Sequence, residues 1–328
     1  MKRKFYKILF LILGILTLLW MTYRIGPHTI WDNMLQVGWW FVPILLSWLV
    51  IYLMNAVAFR HIIVEVQRPE TRLSFSTIMQ LTVSGYSINY VTPFVALGGE
   101  PYRIMALTPA LGQAKASSSV LLYGMVHILS HIVFWLISVF LILAFVPLGK
   151  LMVLTCCCIV ILGLVVCWWF SRIYRSGLVV SVLGFLTKLP FLSKYFSKLI
   201  AHNKAVFEDI DIQIKDLFDN RKRNFYTALS WEFLARVVGC AELYFISIAL
   251  GLNMDVIQAF IVSSGSSLFA NLIFFLPMQL GTREGGLAMA LVSIGFPASV
   301  GVIMGLATRI REIVWIGIGL VWMIIVRK

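Results

Sequence analysis

Charge is what this sequence has least of. Only 12% of its 328 residues are Asp, Glu, Lys or Arg, where a soluble domain carries roughly 25%. Acid is scarcer than base: 14 Asp and Glu stand against 27 Lys and Arg, for a net charge of +13. In a soluble chain that excess would raise nucleic acid as a partner. Here the basic residues sit between apolar stretches, where they set orientation and meet anionic headgroups, so no nucleic-acid partner is expected. Cysteine is sparse too. The five cysteines show no C-x-x-C spacing, so neither a disulfide framework nor a zinc site is indicated. Cys156, Cys157, Cys158, Cys167 and Cys240 lie inside apolar runs, as small packing residues do. P-loop, G-x-S-x-G and H-E-x-x-H motifs are all missing. No catalytic residue, cofactor or metal is therefore expected.

What is there is apolar: 60% of the residues are hydrophobic. Runs of about 20 such residues cross about 30 Å of hydrocarbon. Full spans are expected over 5–23, 39–58, 118–145, 151–171, 226–250 and 300–326. The basic Met1 to Lys7 followed by apolar Ile8 to Trp20 has the outline of a signal peptide. Met21-Thr22-Tyr23-Arg24 offers no small-residue cleavage site, so the segment is read as a first membrane helix. Two softer runs, 75–92 and 256–276, each lead into a Pro/Gly break and a short apolar piece, 101–112 and 287–296. The breaks run from Pro93 to Pro101 and from Pro277 to Gly286. One long polar connector, 172–223, holds ten Lys and Arg. Its basic first part reads either as a headgroup-binding segment or as a solvated loop.

Lys and Arg placement orients the chain. Lys2, Arg3, Lys4 and Lys7 put the N-terminus in the cytoplasm. Arg60, Arg68 and Arg72 return the chain there, and so does the 172–223 connector; Arg327-Lys328 does the same for the C-terminus. Residues 75–112 must then enter and leave from the cytoplasmic face, and 256–296 from the opposite one. At an offset of 184, Pro93, Glu100, Met105, Ala106, Leu107 and Ala114 meet Pro277, Glu284, Met289, Ala290, Leu291 and Ala298. That is six identities in 22 positions, where one or two are expected from a typical composition. The expected fold is all-α: one integral membrane domain over 1–328, with about six full spans plus two re-entrant helical hairpins in two inverted repeats. The first repeat covers about 39–145 and the second about 224–326. Broken helices in inverted repeats are a transporter architecture, with the substrate site near the midplane.

Candidate chemistry gathers at the breaks. Glu100 precedes Pro101 and would cap free backbone N–H groups at a helix start; Arg103 follows one turn on. Thr282, Arg283 and Glu284 stand at the second break, and Arg309, Arg311 and Glu312 on the last span. Arg309 and Arg311 are roughly 200° apart on a helix, so both are not expected to face one ligand. Glu100, Arg103, Arg283, Glu284, Arg309 and Glu312 are the expected substrate contacts. Pro93, Gly98, Gly99, Pro101, Pro277, Gly281 and Gly285 are expected to shape the loops. Each Glu and Arg could instead only satisfy its own loop. Glu232 and Arg236 are spaced to pair with each other. His127 and His131 share a face and read as helix–helix hydrogen-bonding groups.

Gly98-Gly99-Glu100-Pro101-Tyr102-Arg103 and Leu280-Gly281-Thr282-Arg283-Glu284-Gly285 resemble the paired signatures of the lysylphosphatidylglycerol synthase/flippase transmembrane-domain family. The resemblance covers nearly the whole chain in span layout, with Met278-Gln279 departing from a more glycine-rich approach to the second motif. It implies a multi-pass lipid translocase of the bacterial inner membrane. Some members carry a C-terminal aminoacyl-transferase domain. This chain ends two residues after its last span, so it is expected to be a stand-alone member that does not aminoacylate lipid. The expected cargo is a phosphate-bearing lipid, aminoacylated or polyprenyl forms included. Expected partners are an anionic phospholipid, a second copy of the chain or a separate lipid-modifying enzyme. Two alternatives stay open: a membrane transferase or hydrolase using Glu100 or Glu284 as general base, and a non-transporting scaffold subunit.

Overall fold

The computed structural model describes residues 16, 23, 26–65, 68–92, 98–146, 149–176, 187, 193–272 and 282–325. Apart from residues 16 and 23, the expected first span lies outside them. So do Pro93, Pro277, Gly281 and Arg327-Lys328. Among the described residues the fold is all-helical: α1 (Pro27–Val37), α2 (Phe41–Ile63), α3 (Phe75–Val91), α4 (Gly99–Leu111), α5 (Gln113–Phe145), α6 (Lys150–Ser176), α7 (Ser193–Asp219), α8 (Lys222–Ala249), α9 (Val256–Leu272), α10 (Thr282–Ser293) and α11 (Ala298–Ile325).

Two helices outrun their apolar stretches. α2 continues past Arg60 and His61 because Ile62 and Ile63 beyond them are fully buried. α5 begins at Gln113, five residues before the apolar run, because Ala116, Ser117, Ser118 and Ser119 pack inside. Nor is the 172–223 connector a plain loop. α6 reaches Ser176, and α7 sets Ile210, Ile214, Leu217 and Phe218 into the main core beside Phe59, Ile62 and Tyr123.

Two runs of four helices repeat one order, α2 to α5 and α8 to α11, each with a long helix, a second helix, a short helix after the break and a long helix. At about 1.5 Å per residue, the 17-residue α3 is about 25 Å long, short of the hydrocarbon thickness. α3 and α4 run antiparallel, with Gln80 donating to Tyr102 at 3.3 Å and the Gly99 N–H bonded to Asn89 at 2.7 Å. Gly112 (φ +78°) turns α4 directly into α5; that backbone region favours glycine.

α2 and α8 pack antiparallel along the centre, from Trp40 against Phe245 to Asn224 on the His61 carbonyl. α3 lies against α11, with Ser84 and Ser87 bonded to the carbonyls of Gly319 and Trp315. α5 lies against α9, where Ser138 meets Ser264. Small polar residues at such crossings let backbones approach and bond.

Leu35–Ile63 and Gln113–Phe145 are, among the described residues, the two helical stretches long and apolar enough to cross a membrane. α8 and α11 carry the charges described next. The outer faces of α5 and α6 expose Ile128, Phe140, Leu154, Ile161, Leu164 and Trp168, a greasy surface that water would not tolerate at this extent.

Candidate functional site

The largest ionic constellation joins α10, α11 and α8. Glu312 of α11 receives Arg283 of α10, and Arg309 at 3.2 Å; a third guanidinium, that of Arg311, stands 3.9 Å away. Arg309 also donates to Glu284 at 3.1 Å. Arg311 forks onto both oxygens of Glu242, at 2.8 and 3.1 Å, the bidentate geometry that suits a carboxylate. Trp48 of α2 completes that end. Its indole N–H donates to Glu242 at 2.8 Å, and its ring lies 3.6 Å under the Arg311 guanidinium. The charges balance as three arginines and three glutamates. Burial grades across the group: the side chains of Glu312, Arg311, Arg309 and Glu242 are 1–6% exposed, while Arg283 and Glu284 are 19% and 22% exposed. The network is closed at α8 and open at the start of α10. Gly305 makes the open edge feasible, since a side chain there would press on Glu284.

A second constellation sits at the first break. Arg103 of α4 donates to the carbonyls of Leu81 and Thr82, at 3.3 and 3.4 Å, and reaches Glu100 at 3.4 Å. Gly85 admits it, because a Cβ there would strike the guanidinium. The rings of Tyr86 and Tyr123 flank it at 5.1 and 5.4 Å, close enough for cation–π attraction. Arg103 is 3% exposed and Glu100 29% exposed, with one Glu100 oxygen buried and without a hydrogen-bond partner. The helix start differs from the expected one. α4 begins at Gly99, so Pro101 is its third residue and Glu100 caps nothing. Asn89 of α3 does that work instead, accepting the Gly99 N–H while its own amide donates to Glu100 at 3.2 Å.

Of the six expected contacts, Arg283, Glu284, Arg309 and Glu312 meet in one cluster, and Glu100 and Arg103 form a separate pair. Tyr90, at the last turn of α3, lies beside Arg311 within reach of the charges of Glu312 and Arg283, which links the two hairpins. Contrary to expectation, Arg309 and Arg311 both approach Glu312, which stands between them one turn along α11. The glycines sort as well. Gly98 and Gly99 are hemmed in, by Thr92 and by the Gly85 carbonyl. At the second break Gly286 has the tight place, since a Cβ there would come within 3.1 Å of Phe269 and 3.2 Å of the Ser266 backbone, while Gly285 makes only ordinary contact. Glu242, one of the ionisable residues the sequence places in the 226–250 span, joins the site, and Trp48, Asn89 and Tyr90 complete it unforeseen. Their one signal is a polar or amphipathic side chain inside an apolar run, a residue that must find a partner.

Residues 7–319 match the model of the family described as Lysylphosphatidylglycerol synthase TM region. No curated protein and no solved structure matches the chain.

Proposed function

The chain belongs to the lysylphosphatidylglycerol synthase transmembrane-region family, and on that premise we propose that it is a lipid translocase rather than an enzyme, moving a phosphate-bearing lipid between the leaflets of a bacterial inner membrane. The observation that carries this reading is the buried network of three arginines and three glutamates, open at Arg283 and Glu284. Ionisable groups this deep in an apolar bundle are costly and mark a pathway for polar cargo. A phosphate can take the place of the Glu312 carboxylate on the Arg283 fork, the exchange such a fork favours. Glu284 then receives a cationic headgroup or a proton. Acyl chains stay outside, where an apolar groove on α11 between Ile313, Gly317, Val321 and Trp322 faces outward. Arg103, buried on α3 carbonyls, fixes one hairpin and touches no cargo.

The architecture that goes with this function is a pair of inverted repeats holding two re-entrant hairpins, with both termini cytoplasmic. Three observations support it. The two four-helix runs match in order, and α3–α11 contacts are answered by α9–α5 contacts. Glu65 pairs with Lys115 and with Arg221, so the chain before α3, the chain after α4 and the start of α8 share one end of the bundle. The 17 and 13 residues of α3 and α4, at the low end of or below what a crossing needs, suit a hairpin that enters and leaves on one side.

Reconstitution into liposomes with a labelled phospholipid panel tests the function. Arg283→Gln and Glu284→Gln proteins that elute and melt like the parent are expected to lose about tenfold or more in rate. A charge-assisted hydrogen bond contributes roughly 1.5–3 kcal/mol, and about 1.4 kcal/mol is tenfold. Full-rate transport by both variants would remove the site. A second reading, a lipid transferase or hydrolase, draws on the unpartnered Glu100 oxygen, which stands where a general base would. Product formed from lipid in detergent, with no second leaflet, would favour it.

A further inference from the structure

The seam between α5 and α8 holds a third group of ionisable side chains, which the lipid path does not use. His127 Nδ1 lies 2.8 Å from a Glu232 oxygen and 3.1 Å from the Tyr86 hydroxyl, itself 3.1 Å from the Tyr123 hydroxyl. Glu232 and Arg236 pair as their i,i+4 spacing suggests, at 3.7 Å. Arg236 also donates to Ser130 at 2.7 Å and to the His127 carbonyl at 2.9 Å. His127 is the nearer partner of Glu232, and the Tyr123 hydroxyl also acts on it. The other Glu232 oxygen is buried and has no hydrogen-bond partner, and the same is true of His131 Nδ1 and Trp135 Nε1 beside it. The His131 ring packs against those of His127 and Trp135, with centroids 5.3 Å away in each case.

Three orphaned polar atoms in one buried seam carry a desolvation penalty that ordinary packing leaves uncompensated. A proton fits two of them, the Glu232 oxygen and His131 Nδ1; the Trp135 indole can only donate. A carboxylate oxygen without a donor next to an imidazole is an acceptor awaiting one, and Glu/His chains inside membrane bundles are what proton pathways are made of. Access is graded: the His127 side chain is 30% exposed and Glu232 1%, so the ring is the way in. An imidazole can take a proton on one ring nitrogen and release the other nitrogen's proton to its partner. The ionisable groups facing His127 are Tyr86 from α3, Arg103 from α4, Tyr123 and His131 from α5, and Glu232 and Arg236 from α8. Glu232 offsets Arg236, and Glu100 offsets Arg103 at 3.4 Å, so one added proton changes the seam from neutral to +1.

We propose that His127 and Glu232, with His131 behind them, form a proton-binding site, and that its proton drives the lipid movement; only this driving role rests on the function proposed above. Histidine-selective NMR on the full chain in lipid nanodiscs tests the site itself. The five histidines are assigned with His127→Gln and His131→Gln. The His127 signal is expected to change protonation between pH 5 and 9, and Glu232→Gln to move its midpoint by about one pH unit or more. A His127 ring fixed in one state across that range, or indifferent to Glu232→Gln, overturns the site whatever lipid does. Liposomes with an imposed pH gradient test the drive. Lipid transport is expected to quicken several-fold along the gradient, with the response lost in His127→Gln and restored by Glu232→Asp where Glu232→Gln abolished it. Transport indifferent to the gradient overturns the drive and leaves the translocase reading standing. A titrating His127 with no lipid movement in any liposome supports the site and overturns that reading instead.

Discussion

Arg311 is 2% exposed, and a guanidinium that deep is tolerable only if its donors are met. Glu242 meets two of them and the Trp48 ring covers the charge. Removing one partner of a buried pair leaves the other charge uncompensated, at a penalty of about 3–5 kcal/mol. Glu242→Ala is therefore expected to lower the melting temperature markedly, read as loss of the monodisperse detergent peak on heating. Replacing Glu242 and Arg311 together with apolar residues should recover most of the loss. Asn89→Ala removes the group that receives the Gly99 N–H, and a lost helix cap costs about 1 kcal/mol; the same heating series reads it. Most of these charged residues were legible in the sequence, because Arg, Glu and His inside apolar runs announce themselves. Which partner each takes was not. Glu242 is 69 residues from Arg311, and Asn89 caps a helix that begins ten residues later. Chain spacing speaks only to neighbours on one helix: it gave the Glu232–Arg236 pair but not the closer contact of Glu232 with His127, 105 residues away.

At the scale of elements, the α3–α4 hairpin depends on two backbones meeting at Gly85 and Gly99. Gly85→Leu should displace Arg103 and separate the helices, which a crosslink between cysteines at Gln80 and Tyr102 would register as lost yield. Gly85→Ala is the milder variant and should cut the yield only in part. The docking of α7 is a separate matter. Ile214 is fully buried, so Ile214→Ala should destabilise by about 2–5 kcal/mol, read as a lower melting temperature in the same heating series. Asp216 holds the same helix end. Burial raises its carboxyl, but hydrogen bonds from Asn220 and Arg221 and the charge of Arg221 outweigh that and keep it below the usual carboxylate range. Ionised Asp216 therefore adds stability above about pH 4, and that contribution is lost as pH falls through its lowered value. Between pH 5 and 8 the docking should not change. Among the described residues the apolar runs gave the membrane helices to within about five residues, since they end where charge or glycine interrupts them. They missed α1, the first turns of α5 and α7; the burial of the last two depends on each other and not on local hydrophobicity.

For the whole molecule, the proposed lipid path needs two hairpins entering from opposite faces, joined where Tyr90 approaches Arg283, Arg311 and Glu312. The six matched positions between the breaks hinted at this pairing, and the repeated helix order and the answering contacts of α3–α11 and α9–α5 agree with it. Sidedness is the property from which the lipid path follows, and it can be measured directly. With the five native cysteines replaced, single cysteines go in at Arg72→Cys and Gln113→Cys, which flank the first hairpin, and at Asn253→Cys and Ser299→Cys, which flank the second. An impermeant thiol reagent applied to sealed right-side-out and inside-out vesicles should label 72 and 113 from the cytoplasmic side alone, and 253 and 299 from the other side alone. If 72 and 113 were labelled from different sides, the first hairpin would be a full crossing, and a path between two opposed hairpins could not exist.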